Sequence, residues 1–433
     1  MTARPAWLSP SEKAAALLRK AERHIRVLKA VSWPPEVREN FLSGGATHLP
    51  EVAYIPVKTG EARTLISKAR THIGHDHPVF DWLSRVADVL ALSCDLLDTR
   101  GTPSFYQVSK QIYGTPENTM LDGQTRSIDL ARHLDGVLTE LSFEQLVLGG
   151  ALERFGADEF ARRLSETLER YFVGHPPKVE IVAHLSAKAL AGAKRIRVRA
   201  DAEFGPMDVR QLLYHEALVH TTTAMNGKAQ RDFPILASAH PGTTEVQEGL
   251  AVFAEIITGA MDPKRFRRLV DRVIAIQMSV EGADFIEVYR YFLAQNGEER
   301  QAFEDTRRVF RGGVLSGGAP FTKDGVYLNG LLRVHNFMRT VTRLGRADLL
   351  RLLFVGKLDI EDIPALALLA ANGAIRPPQI LPPWMKDMRF LVSYLAYSSF
   401  LNRVKLPGFQ RYYRKKLEDV PEIWGFNHST PSR

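Results

Sequence analysis

The residues with the most chemical content lie in the stretch Tyr214-His215-Glu216-Ala217-Leu218-Val219-His220. Two histidines around a glutamate on one helix is how zinc peptidases hold a metal and a general base, normally with the histidines four residues apart. Here they stand five apart. At about 100° per residue, a spacing of four leaves two helical side chains roughly 40° apart, and a spacing of five about 140° apart. Imidazoles so divided cannot both reach one ion at roughly 2.0–2.1 Å from a regular helix. A π-bulge absorbs one extra residue, and such bulges are frequent at functional sites. The spacing therefore predicts a π-bulge or a broken turn within 216–220, with His215 and His220 as metal ligands and Glu216 as the catalytic acid/base.

A catalytic zinc takes three protein ligands and keeps one position open. The third ligand is sought on the next helix, which carries Glu245, Glu248 and Glu255. Gly249-Leu250-Ala251-Val252-Phe253 bury that segment, so a carboxylate within it needs a partner. Glu248 would complete a His-His-Glu set. Glu255, two turns along the same face, is its rival or a partner behind the ligands, and Glu245 is the third candidate. In hydrolysis Glu216 would take a proton from a metal-activated water and pass it to the leaving amine. The developing oxyanion needs a further donor, for which Tyr327 and His335 are the candidates. A terminal carboxylate on the substrate needs a cation. Lys323 lies one helical turn before Tyr327 on the same face, with Arg333 and Arg311 as alternatives. The strand expected over 195–204 could offer its edge to an extended peptide.

The elements that must carry these residues read as mostly helical. Apolar positions at helical spacing predict helices over 11–30, 61–73, 79–98, 104–113, 125–140, 143–154 and 157–172. Residues 179–182 and 195–198 read as short strands. Gly205-Pro206 starts the motif helix and Asn226-Gly227 closes it. Thr244 and Gln247 fit a capping box at the start of the next helix. Helices follow over 263–280, 284–296, 298–310 and 322–344, then a helical stretch over 347–420 broken at Pro377–Pro383. The fold class expected is mainly α with a small β-sheet (α+β), with a gluzincin-like metallopeptidase core. Length and breaks divide the chain into a helical region 1–175, the metallopeptidase core 176–345 and a helical region 346–433.

Composition narrows the function classes. With 45% hydrophobic and 24% charged residues, the 433-residue chain has the balance of an ordinary soluble protein. The net charge is +8, but the basic residues are scattered apart from Arg411–Lys416 and match no nucleic-acid module. No nucleic-acid partner is expected. No apolar run reaches the roughly 18 residues of a membrane span, and the start of the chain lacks the pattern of a signal peptide. A single cysteine, Cys94, excludes an intrachain disulfide and reads as a small buried apolar residue. These features point to the cytoplasm and to no membrane partner. His72, His75 and His77 flank Gly74 and precede Pro78, which makes them a loop before a helix.

Gln247-Glu248-Gly249-Leu250-Ala251, together with His215-Glu216-x-x-x-His220, resembles the bacterial QEGLA-motif proteins described as modulators of flavohaemoglobin expression. That family also contains the eukaryotic microtubule-associated tyrosine carboxypeptidases. Arg100-Gly101-Thr102-Pro103-Ser104-Phe105 and Phe321-Thr322-Lys323-Asp324-Gly325-Val326-Tyr327-Leu328 are similar too, and the likeness covers roughly residues 50–370. The resemblance implies Zn2+ held by His215, His220 and Glu248, and Glu216 as general base, so it chooses Glu248 over Glu255. It implies a carboxypeptidase acting on a peptide or protein C-terminus. The tubulin substrate of the eukaryotic members does not transfer, because a substrate belongs to a site and not to a fold. Two rival readings are a metal-dependent hydrolase of another amide bond and a helical regulatory or adaptor protein with a structural or vestigial metal site. Glu216 argues against the second, since a structural site has no use for it. The oligomeric state is not set by any of these features.

Overall fold

Apolar residues along most of the chain recur with the 3.6-residue period, and the computed structural model is accordingly helical with one small sheet. It describes residues 4–140, 153–172, 174–183, 185, 188–192 and 194–401. Helices Gly60–Arg70, Pro78–Asp98, Pro103–Tyr113, Ser127–Glu140 and Ala157–Tyr171 lie where the periodicity puts them, while the helix expected over 11–30 is split into Leu8–Glu22 and Val27–Ala30. The helix expected over 143–154 lies almost wholly outside the described residues, and the basic cluster Arg411–Lys416 wholly so. The histidine-rich loop is used locally. His77 Nδ1 accepts from the Val79 N–H at 3.3 Å, and its ring stacks on Trp7.

The sheet has three strands, β1 (Lys178–Val182), β2 (Ala189–Ala191) and β3 (Arg195–Arg199), in the order β1-β3-β2. β1 runs parallel to β3 and β2 antiparallel to it. The alternation in Arg-Ile-Arg-Val-Arg buries Ile196 and Val198 against Phe160, Leu164 and Leu168 of helix Ala157–Tyr171 and against Ala217 and Leu218 of the motif helix. β3 is thus central, with both edges paired. The expectation that it offers an edge to a substrate is overturned, and the edge nearest the motif helix belongs to β2.

Two further local expectations are corrected. The helix after the motif starts at Pro241, with His240 before it, and not at a Thr244 cap. The Thr243 and Thr244 hydroxyls instead bond back to the His240 carbonyl. The motif helix continues through Asn226 and Gly227 to Ala229. Gly227 is needed for close packing, since a Cβ there would stand 2.2 Å from the Leu236 carbonyl oxygen.

One apolar cluster takes Leu18 and Leu83 from the N-terminal region, Phe253 and Leu331 from the middle, and Phe354 and Met385 from the C-terminal part. Cys94 is buried in it, and that burial raises its thiol pKa to about 11. Among the described residues no helix is long and apolar enough to cross a membrane.

Candidate metal centre

The motif sits in one continuous helical rod of three parts: α-helix Pro206–Leu212, π-helix Leu213–Thr221 and α-helix Thr222–Ala229. At its start the Gly205 N–H donates to Asp208 Oδ2 at 2.8 Å. In the middle the Thr222 N–H reaches back to the Ala217 carbonyl, the i→i−5 bond of a π turn. The five-residue spacing is absorbed as the sequence requires, and the two imidazoles share one face. Their centroids are 4.9 Å apart with the planes nearly perpendicular.

Three donor atoms converge there. His215 Nε2 and His220 Nε2 are 3.2 Å apart. Glu248 Oε2 lies 3.5 Å from the first and 3.6 Å from the second. Tetrahedral ligands at roughly 2.0–2.1 Å from an ion stand about 3.3–3.4 Å from one another. The observed separations bracket that value, so these three residues could hold one small metal ion. Burial alone would lower the His215 pKa, but the carboxylates of Glu248 and Glu255 outweigh it and hold the ring at about 10. Burial would likewise raise Glu248, yet His215, His220 and the charge of Lys323 bring it well below its usual range. The carboxylates of Glu248 and Glu255 thus favour a positive charge on His215.

The groups behind the donors fix their aim. Glu255 Oε1 accepts from His215 Nδ1 at 2.6 Å, which turns Nε2 towards the cluster. Arg265 Nε and Nη2 hold Glu255 at 3.2 Å each. Burial would raise the Glu255 pKa, but Arg265 and His215 bring it down to about 2. Of the three glutamates weighed, Glu248 faces the donors and Glu255 stands behind them. Glu245 is paired with Arg333 at 2.8 Å. Glu216 Oε2 accepts from the Ala191 N–H at 3.1 Å, while Oε1 lies 4.0 Å from His215 Nε2. Strand β2 thereby holds the carboxylate beside the donors without joining it to them.

The helix Pro241–Ile257 that carries Glu248 crosses helix Val326–Arg343 at two glycines. A Cβ on Gly249 would stand 2.1 Å from the Gly330 carbonyl carbon, and one on Gly330 would stand 2.1 Å from the Glu245 carbonyl oxygen. The backbones touch, and Glu248 is seated by that contact.

A cavity of about 310 Å³ opens onto His215 and Glu216. Arg265, Arg268, Arg272, Arg308 and Tyr327 line it. The Tyr327 ring lies under the Arg272 guanidinium at 5.2 Å and the Lys323 ammonium at 5.5 Å. Its hydroxyl accepts from Arg308 Nη2 at 3.4 Å, and Arg308 also pairs with buried Asp324. Arg272 Nε is buried without a hydrogen-bond acceptor. Lys323 Nζ is 4.0 Å from Glu248 Oε1. A larger groove of about 690 Å³ in the C-terminal part holds none of these residues.

Tyr327 and Lys323 are thus brought to the cluster, and three other candidates are not. The His335 ring packs against Phe253 and Tyr394, and burial lowers its pKa. Arg333 is tied to Glu245 and Asp359. Arg311 is buried over the Phe321 ring, and desolvation brings its pKa down to about 10. Arg265, Arg272 and Arg308 are the residues sequence reasoning missed. Arg265 and Arg272 stand at i and i+7 of one helix, but Arg267, Arg268 and Asp271 share that helix, so the spacing does not single them out.

No curated protein matches this sequence. The family model for microtubule-associated tyrosine carboxypeptidase does match, over residues 39–403, a span that includes the donor cluster and the arginines of the cavity named above. The chain therefore belongs to the microtubule-associated tyrosine carboxypeptidase family, and with that membership comes a carboxypeptidase-like function.

Proposed function

We propose that the protein is a zinc-dependent carboxypeptidase in which His215, His220 and Glu248 hold the metal and Glu216 is the acid/base. The observation that carries this reading is the set of donor separations of 3.2, 3.5 and 3.6 Å, close to the edges of a zinc tetrahedron. Two imidazoles, one carboxylate and one open position form a catalytic rather than a structural ligand set. Bound there, zinc would supply Lewis acidity and bring the pKa of a water towards about 7.

The chain's own residues supply the rest. Glu216 is positioned to take a proton from the attacking water and return it to the amine that leaves. The Ala191 N–H bond to Oε2 keeps one oxygen fixed while Oε1 faces the donors. The Tyr327 hydroxyl, beside the Arg308 guanidinium, is placed to donate to the oxyanion. Arg272 lines the cavity with an Nε that has no hydrogen-bond acceptor, although Asp324 and Asp305 stand 4.0 and 3.9 Å from its guanidinium, and it is the anchor for the substrate's terminal carboxylate, with Lys323 next to it. Lys323 keeps the role expected from sequence, and Arg272 replaces Arg333 and Arg311. The edge of β2, beside Glu216, is the place for the substrate backbone.

Digestion of a peptide library with free C-termini, read by mass spectrometry, tests the proposal. Zinc-loaded protein should release single residues from free C-termini and leave amidated peptides intact. Glu216→Gln should keep about one zinc per chain and lose roughly 10²–10⁴-fold in rate. Internal cleavage, or activity that survives in Glu216→Gln, would overturn it.

A further inference from the structure

Lys357 lies in the loop after helix Ala347–Leu352, far along the chain from either motif, yet its side chain ends among them. The residue is 8% exposed. Its Nζ donates to Gln247 Oε1 at 3.1 Å, to the His220 carbonyl at 3.3 Å and to Thr223 Oγ1 at 3.4 Å. Thr223 Oγ1 is itself 2.8 Å from Gln247 Oε1. Among the described residues no carboxylate forms an ion pair with Lys357. Burying an ammonium costs several kcal/mol and is normally offset by a counter-ion. This one has three neutral oxygens as hydrogen-bond acceptors, and the carboxylates of Glu248 and Glu216 act on it only from beyond ion-pair distance.

The three acceptors sit on the two elements that carry the ligands. His220 and Thr223 belong to the motif helix, at and just beyond the π turn. Gln247 precedes Glu248 on the neighbouring helix. The main chain at Lys357 is also fixed, because its N–H donates to the Leu236 carbonyl at 2.7 Å and Gly356 packs directly on Leu236. The ammonium also orients the Gln247 amide. Turning that amide over would set its NH2 against the ammonium, so the oxygen stays inward and Nε2 is left without a partner.

We infer that Lys357 is a positioning residue for the donor cluster: by bridging the His220 carbonyl and Gln247, its ammonium locks the π turn to the carboxylate helix and sets the spacing of His220 and Glu248. The glutamine of the Gln-Glu-Gly-Leu-Ala stretch is then the socket for this lysine. Lys357 is not part of the cavity lining and makes no hydrogen bond or ion pair with a donor atom, so its mechanical link to the site runs through His220 and Gln247, beside a longer-range charge interaction with Glu248 and Glu216.

The inference rests on the proposed metal site, and the test separates the two. Zinc affinity is measured by competition with a chromophoric chelator for the whole chain and for Lys357→Met. Residues that orient ligands from behind typically change metal affinity by 10–100-fold. Lys357→Met should lose that much and alter the visible spectrum of the Co2+-loaded protein, with kcat falling more than KM rises. Gln247→Met removes the other half of the bridge and should act in the same direction. The double variant should be little worse than either single one, because both break one link. If Lys357→Met does not fold, Gln247→Met alone carries the test. Native affinity and an unchanged Co2+ spectrum in a folded variant would overturn the role of Lys357 and leave the zinc site standing. Failure of the unaltered protein to take up metal would remove the site and this inference together.

Discussion

Two buried carboxylates on neighbouring helices show how partners decide the state of a single residue. Glu255 has Arg265 and His215 and stays ionised. Asp271, only 4% exposed, has a hydrogen bond from the Tyr291 hydroxyl at 3.1 Å, and burial raises its pKa to about 6. The folded state therefore binds a proton more tightly than the unfolded chain, and stability falls as pH rises from about 4 to about 6. At pH 7 the ionised Asp271 is a cost, with a ceiling of about 3 kcal/mol from a shift of roughly two units. Asp271→Asn should gain about 1–3 kcal/mol at pH 7 and nothing near pH 3.5, as read by denaturant titration at both values. An equal gain at both pH values would mean that the charge is not the cause. At this scale the sequence was legible where chemistry is local. His215, Glu216 and His220 are close neighbours in one helix, and their types and order define their job. Arg272 and Arg308 were not legible, because an arginine becomes a cavity wall only when two distant helices meet.

At the scale of elements, the contact between helices Pro241–Ile257 and Val326–Arg343 sets where Glu248 sits. Gly249→Ala must push the helices apart, since its Cβ has backbone and not a flexible side chain in the way. Overpacking of this kind costs about 1–3 kcal/mol or more. The variant should also lose zinc affinity, because Glu248 moves with the displaced backbone. Gly136→Ala is the control. It lies inside helix Ser127–Glu140 with nothing within 4 Å of an added Cβ, and it should gain up to about 1 kcal/mol from helix propensity. Thermal denaturation of both variants checks the contrast. The π turn was legible as an element because regular helical geometry could not serve the histidine spacing. β2 was not, since Ala189-Leu190-Ala191 is too short to show alternation and pairs only through β3. The start of the glutamate helix was misplaced because the Thr244–Gln247 spacing mimics a cap, while Pro241 supplies a better first turn.

For the whole molecule, the C-terminal part completes the motif helix as well as the core. Asn226 Nδ2 donates to the carbonyls of Phe354 and Ile380 at 2.8 and 2.7 Å. Gln230 exchanges two hydrogen bonds with the main chain of Arg376, at 3.0 and 2.8 Å. Truncation after Gly345 strips these partners and leaves part of the shared core exposed. The shortened chain should lose near-ultraviolet circular dichroism and retain no zinc after gel filtration. A folded, zinc-binding product would show that the C-terminal part is dispensable. Glycine and proline breaks mark possible boundaries in sequence but cannot reveal which side chains reach across them, so these bonds were not legible there.

A residue added to a regular helix rotates every later position by about 100°. The π turn takes up that residue instead, so the rod beyond it keeps the phase of an uninterrupted α-helix. Asn226 and Gly227 therefore meet the C-terminal loops and Leu236 although an extra residue stands upstream of them. Removing one residue between His215 and His220 to recover the common four-residue spacing should close the π turn to an α turn and leave the docking of the chain's last third in place. The bulge confines the effect of the unusual spacing to the histidines themselves.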